Sequence, residues 1–339
     1  MRKFGFFAVL LFLISGLLIA DDKQSAELRS QCAVAQQSEN EMTLLEKKIE
    51  KILVEEKQTS PVTRNIYNML TSSFTLLFSI QKFHKILTLN QENNKNDFVR
   101  AAIILKNFSA YFHNVSVALR RYGNERLALR QEREKFEKLL ENNKNKRDIA
   151  VNKITEISKK AEENVPENNL INDIAYHLAN RSNSIEELDA ELEAENTVGV
   201  LKNTKIATEL KLSYPVAGRV VNEFGDKGIN EQMIYYLGFE TRYGAVVTSP
   251  VKGLVVFSGK FLNYNNMVII SNGEYRVFVY GLDKLFVQTG SVVEIGDYIG
   301  RMVEHSIDKP VLKLELKKSG EPLDPRHWLV ETLEKENKL

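Results

Sequence analysis

The 339-residue chain has a single cysteine, Cys32, so no disulfide can form within it. A zinc site built from several cysteines is excluded for the same reason. The charge is balanced: 46 lysine and arginine residues face 45 aspartate and glutamate residues, for a formal net charge of +1. Such a chain lacks the concentrated basic field with which proteins bind nucleic acids, and we predict no nucleic-acid partner. A hydrophobic content of 43% excludes wholesale disorder.

Helix breakers are scarce in the first half of the chain, where Pro61 and Gly123 are the only proline and glycine between residues 22 and 163. This scarcity predicts long helices. We expect an antiparallel coiled-coil hairpin with arms at about 24–88 and 97–162, a break at Pro61 and a helix cap at Asp97. The second arm shows a seam of alternating three- and four-residue spacing. Its members are Phe98, Ala101, Leu105, Phe108, Phe112, Val115, Leu119 and Tyr122.

Residues 66–87 are more apolar than a two-stranded seam requires. A helical rod that only separates two other parts does not need this extra apolar surface. We therefore predict that the segment docks on a partner through Phe74, Phe78 and Phe83, with a purely structural rod as the alternative.

The first twenty residues are typical of a secretory signal peptide. Arg2 and Lys3 precede an apolar run that ends at Ala20. We predict a signal peptide over residues 1–20 and a periplasmic location, with an uncleaved membrane anchor as the alternative.

The second half of the chain changes in character. Pro166 ends the helical region, and residues 170–195 read as an acidic amphipathic helix or helix pair. From residue 211 onwards glycines and short β-branched runs recur, and Asn272-Gly273 marks a hairpin turn. We predict an α+β fold in which the coiled-coil hairpin is followed by a compact antiparallel β domain. The expected boundaries are 21–165 for the coiled coil, 166–210 for a helical regulatory arm, 211–330 for the β domain and 331–339 for a tail.

A series of short motifs in this β region resembles the lysostaphin/LytM-type peptidase domain, in order and over about 120 residues. They include Tyr214-Pro-Val-Ala-Gly-Arg-Val, Asn222-Glu-Phe-Gly, Met267-Val-Ile-Ile-Ser-Asn-Gly, Gly296-Asp-Tyr-Ile-Gly and Pro322-Leu-Asp-Pro. The resemblance implies a groove in which one zinc ion, held by an H-x(3)-D pair and an H-x-H strand, serves to cut peptidoglycan cross-bridges.

The sequence departs from that pattern at each of these positions. Tyr236 and Glu240 stand at the H-x(3)-D pair, Leu282 stands at a strand-end histidine, and Val311 and Lys313 stand at H-x-H. Catalytic zinc sites are usually built on imidazole, which is absent here. We therefore predict no metal, no cofactor and no enzymatic activity. The five residues become candidates for lining a partner-binding groove.

A signal peptide, a long coiled-coil hairpin and a LytM domain without zinc ligands together resemble the EnvC family of murein hydrolase activators. The resemblance implies that the groove binds an N-acetylmuramoyl-L-alanine amidase in cell division, with peptidoglycan as a further possible partner. It also implies that the coiled coil docks on FtsX of the FtsEX complex, and that residues 170–195 cover the groove. Two alternatives stay open: a zinc endopeptidase of the LytM type, and a periplasmic adaptor or scaffold without an activator role.

Overall fold

The computed structural model describes residues 4–87, 95–162, 169–196, 210–228 and 231–330. The chain divides into two compact units. The first comprises Met1–Met42 with Asn143–Leu339, and the second comprises Thr43–Asn142. Each unit is described by itself below.

Two long helices make up the helical region: α1 spans Phe4–Leu87 and α2 spans Lys95–Glu162. The expected break at Pro61 is wrong, because Pro61 lies inside α1. A proline inside a helix costs about 3 kcal/mol, but the seam of α1 continues on both sides of Pro61. Glu56 and Thr59 before it and Ile66 and Leu70 after it are partly buried. The second helix begins at Lys95, two residues before the expected cap at Asp97.

The second unit, Thr43–Asn142, is a pair of antiparallel helical segments. Glu56 binds Arg133 with an Oε2–Nη1 distance of 3.1 Å, and the Phe74 and Phe112 rings pack edge to face at 5.5 Å. The later residue of α1 thus contacts the earlier residue of α2, which shows that the two helical segments run antiparallel. On α2 a set of partly buried residues alternates at three- and four-residue spacing. The set comprises Phe112, Val115, Leu119, Tyr122, Arg126, Leu129, Arg133, Phe136 and Leu140. Its first four members belong to the predicted seam, whereas the side chains of the other predicted members, Phe98, Ala101, Leu105 and Phe108, lie outside the described part of the structure.

The first unit contains the β domain, in which every strand pair is antiparallel. Its strands are β1 (Gly218–Asn222), β2 (Tyr236–Thr241), β3 (Val246–Thr248), β4 (Gly253–Lys260), β5 (Asn266–Asn272), β6 (Tyr275–Leu282), β7 (Lys284–Leu285), β8 (Val292–Val293), β9 (Tyr298–Arg301), β10 (Val311–Lys318) and β11 (Glu321–Leu323). Eight strands form a large sheet in the order β1-β2-β10-β6-β5-β4-β8, with β11 beside β10. The other three form a small sheet in the order β3-β9-β7.

One face of the large sheet builds the main hydrophobic core against the small sheet. Side chains alternate between the two faces of a strand, so Leu237, Leu312 and Val279 enter this core while their neighbours face the other way. Val247 of β3 and Ile299 of β9 close the core from the small sheet. The predicted α+β fold is confirmed.

Two short helices, α3 (Asn169–Arg181) and α4 (Ile185–Asn196), lie on the opposite face of the large sheet. We call α3 and α4 together the helical arm. The turn between them is capped by hydrogen bonds: the Glu187 N–H donates to Ser184 Oγ at 3.1 Å, and the Asn183 N–H donates to Glu187 Oε2 at 2.7 Å. These bonds fix where α4 begins.

The base of the helical hairpin packs on the small sheet within the first unit. Cys32, Ala35 and Ala150 present small buried side chains to Val246 and Tyr298. Burial raises the pKa of the Cys32 thiol to about 12, so this cysteine is unreactive at neutral pH. The hairpin base is therefore part of the core of the β-domain unit.

Among the residues that the structure describes, no helix offers a stretch both long and apolar enough to span a membrane.

Candidate functional site

Strands β2 and β10 bring four of the five predicted groove residues to one face of the large sheet. Val311 pairs with Glu240, and Lys313 pairs with Gly238, two residues from Tyr236. The intervening residues, such as Leu237 and Leu312, point into the main core. Tyr236, Glu240, Val311 and Lys313 are each partly buried, so they line an accessible surface.

Lys313 lies among aromatic rings. Its Nζ atom is 4.7 Å from the ring centroid of Tyr236 and 5.7 Å from that of Tyr280. Such cation–π contacts compensate for partial loss of water. Burial lowers the pKa of Lys313 and raises the pKa of the Tyr236 hydroxyl. This end of the site is therefore an aromatic platform with one cation.

Glu240 is held by two cations at the solvent edge of the site. Its Oε1 atom is 3.1 Å from Lys309 Nζ, and its Oε2 atom is 3.4 Å from Arg219 Nη2. The hydrogen bond from Lys309 holds the pKa of Glu240 below its usual range. Its carboxylate oxygens thus already have partners within the protein.

The structure does not bring Leu282, the fifth predicted groove residue, to this face. Leu282 is fully buried in the main core and packs against Gly300 of the small sheet. The reason is a bulge: Asn266 pairs with Leu282 and Met267 with Tyr280, so Gly281 is an extra residue with a φ of +97°. The bulge turns Leu282 away from the face that carries Tyr280.

The residues at the former ligand positions do not fit a catalytic zinc ion. Glu240 is the only carboxylate or imidazole among them, Val311 has no donor atom, and Lys313 would bring a positive charge to the metal. The described histidines of the β domain are both exposed: His305 lies on a loop, and His327 ends the short 3-10 helix Pro325–His327. In the described part of the chain, no group of three or more His, Cys, Asp or Glu side chains could hold a metal ion.

The helical arm covers the same face of the large sheet beside these residues. Leu188, fully buried, packs with the other buried apolar residues of the arm against β4, β5 and β6. The arm contributes Ala175, Leu178, Ala179, Ile185, Leu188 and Leu192, and the sheet side contributes Leu254, Val256, Phe257, Phe261, Met267, Ile269, Phe278 and Tyr280. Tyr236 packs at the margin of this cluster, so arm and candidate site adjoin. Ile174 of α3 is 43% exposed.

Charged groups also join the arm to the sheet. Asp189 of α4 binds Arg276 of β6, with an Oδ1–Nη1 distance of 2.8 Å, and both residues are buried. Burial raises the pKa of Asp189, although Arg276 and Lys317 act in the opposite direction. Glu186 of α4 lies 3.7 Å from Lys317 Nζ, which in turn lies 3.3 Å from Glu315.

These charged residues were not among the predicted site residues. In the sequence, charged residues occupy every second position of this strand, at Lys313, Glu315 and Lys317. Such a pattern normally indicates a strand face exposed to solvent. The arm turns that face into a buried one: Glu315 and Lys317 are 6% and 2% exposed. No pattern within the strand alone reveals the covering helix.

The predicted docking residues of the coiled coil lie in the second unit. Phe78 is 71% exposed and Phe74 is 48% exposed. Phe74 still packs its ring edge against Phe112. The third predicted residue, Phe83, has its side chain outside the described part of the structure. Two of the three predicted docking residues are thus exposed on α1 in this unit.

Comparison with known proteins finds a family similarity within the β domain. Residues 233–325 match peptidase family M23. Over 119 residues the chain is 30% identical to a lipoprotein NlpD/LppB homolog of Pseudomonas aeruginosa. The match covers 34% of this chain and 39% of that protein, so the chain spans about two fifths of the relative's length.

Two solved structures also show similarity to part of the chain. Helicobacter pylori Csd3 is 22% identical, with 36% of each chain covered and a TM-score of 0.33. The catalytic domain of the antimicrobial peptidase lysostaphin from Staphylococcus simulans is 22% identical, with 32% of this chain and 90% of that chain covered and a TM-score of 0.28. The β domain is thus similar to peptidase family M23 over residues 233–325, which follow the long helical region in the chain.

Proposed function

We propose that this chain is a non-catalytic activator of a peptidoglycan amidase, in which the helical arm covers the partner-binding groove of the LytM-type domain. The observation that carries the proposal is the seating of α4 on the sheet face beside Tyr236 and Lys313. A surface that buries a helix of its own chain has the shape and apolar character to bind a helix of another protein.

The chemistry of the former ligand positions supports the non-catalytic part of the proposal. A hydrolytic zinc site needs donors that leave a coordination position open for water. Glu240 is engaged by Lys309 and Arg219, and the Lys313 cation lies where a ligand would be required. We infer that the groove kept its concave shape and serves recognition.

The helical hairpin would connect the activator to a membrane partner. Phe74 and Phe78 expose aromatic surface on α1, and exposed apolar groups at a helix surface are typical of docking sites. We propose that this surface, with Phe83, binds the extracytoplasmic part of FtsX in the FtsEX complex, and that movement of that complex releases the arm.

The cellular setting follows from the N-terminal residues and the relatives. A signal peptide over residues 1–20 would deliver the chain to the periplasm, where the coiled coil (21–165), the regulatory arm (166–210), the LytM-type domain (211–330) and the tail (331–339) operate. A relative described as a lipoprotein supports a role in the cell envelope. Peptidoglycan itself is a further candidate ligand.

A second candidate function is a zinc peptidoglycan endopeptidase, and the match to peptidase family M23 favours it. An adaptor or scaffold without an activator role is the third. All three are separated by one assay, the release of dye from labelled sacculi. The protein is added alone, a purified N-acetylmuramoyl-L-alanine amidase is added alone, and the two are added together.

We expect no release by the protein alone and greater release by the amidase when the protein carries Leu188→Lys, which places a charge in the apolar contact between α4 and the sheet and displaces the arm. Adding Tyr236→Ala to that variant should abolish the stimulation, whereas Lys318→Gln, at the far end of β10, should leave it intact. Release by the protein alone that a chelator stops would establish the endopeptidase. No stimulation by any variant would favour the scaffold.

A further inference from the structure

The sheet surface under α4, which we call the floor, contains two buried cations. Arg276 is 9% exposed and Lys317 is 2% exposed. Among the described residues, both acceptor atoms that Arg276 contacts belong to Asp189: the carboxylate Oδ1 at 2.8 Å and the backbone oxygen at 3.2 Å. Within the described part of the chain, the buried positive charge of Arg276 is therefore compensated by the arm.

Lys317 is shared between the floor and the arm. Its Nζ lies 3.3 Å from Glu315 on its own strand, 3.7 Å from Glu186 on α4, and 5.0 Å from the Phe278 ring centroid. Glu315 also accepts a hydrogen bond from the Tyr280 hydroxyl at 3.4 Å. When the arm leaves, Glu315 remains with Lys317, but nothing on the floor replaces Asp189 at Arg276 among the described residues.

A helix that takes the place of the arm must bury these cations again. Burying an unpaired charge is strongly unfavourable, and removal of one partner from a buried ion pair is far more costly than loss of an exposed pair. A replacement helix with neutral or basic residues opposite Arg276 would therefore bind poorly. The charge on the floor thus selects among helices of similar apolar character.

The arm shows the spacing that such a helix requires. Ile185, Leu188 and Leu192 are the buried apolar positions of α4, at intervals of three and four residues. Glu186 and Asp189 lie three residues apart, so they project from neighbouring turns of the helix toward Lys317 and Arg276. Apolar residues at i, i+3 and i+7 thus accompany acidic residues at i+1 and i+4.

We propose that the floor is a selective receptor for acidic amphipathic helices with this spacing, and that α4 occupies it as an internal copy of the partner's helix. The inference rests on the proposed function, since it identifies the chemistry of the amidase segment that displaces the arm. Arg276 is the main specificity-determining residue, and Lys317 reads the second acidic position.

The test uses the full mature chain with Leu188→Lys, which opens the floor, and a fluorescent synthetic peptide with the sequence of residues 183–196. A second peptide carries Glu186→Gln and Asp189→Asn, which keep shape and remove charge. Fluorescence anisotropy should show at least about tenfold tighter binding of the acidic peptide. Arg276→Gln in the protein should remove most of that difference, and Lys318→Gln should preserve it.

Exchanging the two charges shows whether a loss of binding comes from the charge or from misfolding of the protein variant. The chain with Arg276→Glu should bind the original peptide weakly and a peptide with Asp189→Arg more tightly, which a damaged fold cannot produce. Equal binding of the acidic and amide peptides to the open chain would overturn the inference.

Failure of the inference can be told apart from failure of the proposed function. If the charge preference holds but the Leu188→Lys chain does not stimulate an amidase, the floor is an acidic-helix receptor and the amidase is the wrong partner. If the amidase is stimulated but Arg276→Gln and the peptide charges have no effect, the activator function stands and the charge selection is wrong.

Discussion

Replacement of Leu188 by alanine should loosen the helical arm without unfolding the β domain. Leu188 is fully buried between α4 and the large sheet, and its alanine variant loses apolar contact on the side of the sheet that does not form the main core. Truncation of a fully buried leucine to alanine costs roughly 3 kcal/mol, within the usual range for such sites. At about 1.4 kcal/mol per factor of ten, the population with the arm released should rise by about 100-fold.

Amide hydrogen exchange measures this change directly, because exchange of the α4 amides requires the arm to open. We expect the protected amides of residues 185–194 to exchange about 100-fold faster in Leu188→Ala than in the wild type. The amides of β5 and β6 should keep their rates, since the core on the other face of these strands is unchanged. The matched control is Ala190→Gln, at an exposed position of the same helix.

Two results would refute this reasoning. Equal acceleration in α4, β5 and β6 would mean that the arm and the β domain open as one cooperative unit, so that the arm is no separate cover. Unchanged exchange in α4 would mean that Leu188 contributes little to docking. Faster amide exchange in α4 without a gain in amidase stimulation would mean that the arm covers the sheet but does not regulate activation.

Two further outcomes are expected. Arg147→Met should lower the free energy of unfolding by roughly 2 kcal/mol, because it removes the charged hydrogen-bond donor 2.8 Å from the buried Glu39 carboxylate; calorimetry checks this, and Glu39→Gln should restore much of the loss. Phe78→Glu should leave helical circular dichroism unchanged, since the side chain is 71% exposed, and should abolish capture of the proposed FtsX partner in a pull-down; retained capture would remove this surface from the proposal.

The long-range arrangement of elements could be predicted where one residue pattern determines it. The scarcity of glycine and proline and the alternating seam predicted two long helices, and the seam from Phe112 to Tyr122 is partly buried as expected. The predicted break at Pro61 was wrong because the prediction considered only the local effect of a proline on a helix. The packing of the long helix α1, whose seam continues on both sides of Pro61, outweighs that effect.

The candidate site was predictable only in part, for reasons of backbone geometry. Strict alternation places Tyr236, Glu240, Val311 and Lys313 on one face, and the structure agrees. Leu282 follows a bulge at Gly281, and a single extra residue reverses the face of everything after it. Contacts of the arm depend on tertiary packing between segments about 90 residues apart, which no local pattern encodes.

The two places where helices meet the β domain in the first unit differ in how readily a partner could replace them. At the hairpin base, Gln36 Nε2 donates to the Pro215 carbonyl at 2.9 Å, and Arg147 joins Glu39 to the Tyr243 carbonyl, so two helices and two loops contribute at once. No single incoming helix reproduces that set. Within the arm, α4 contacts the sheet through one short run of apolar and acidic side chains, and another helix can present the same groups. Competition by a partner is therefore expected at the arm, while the base stays in place and holds the domain.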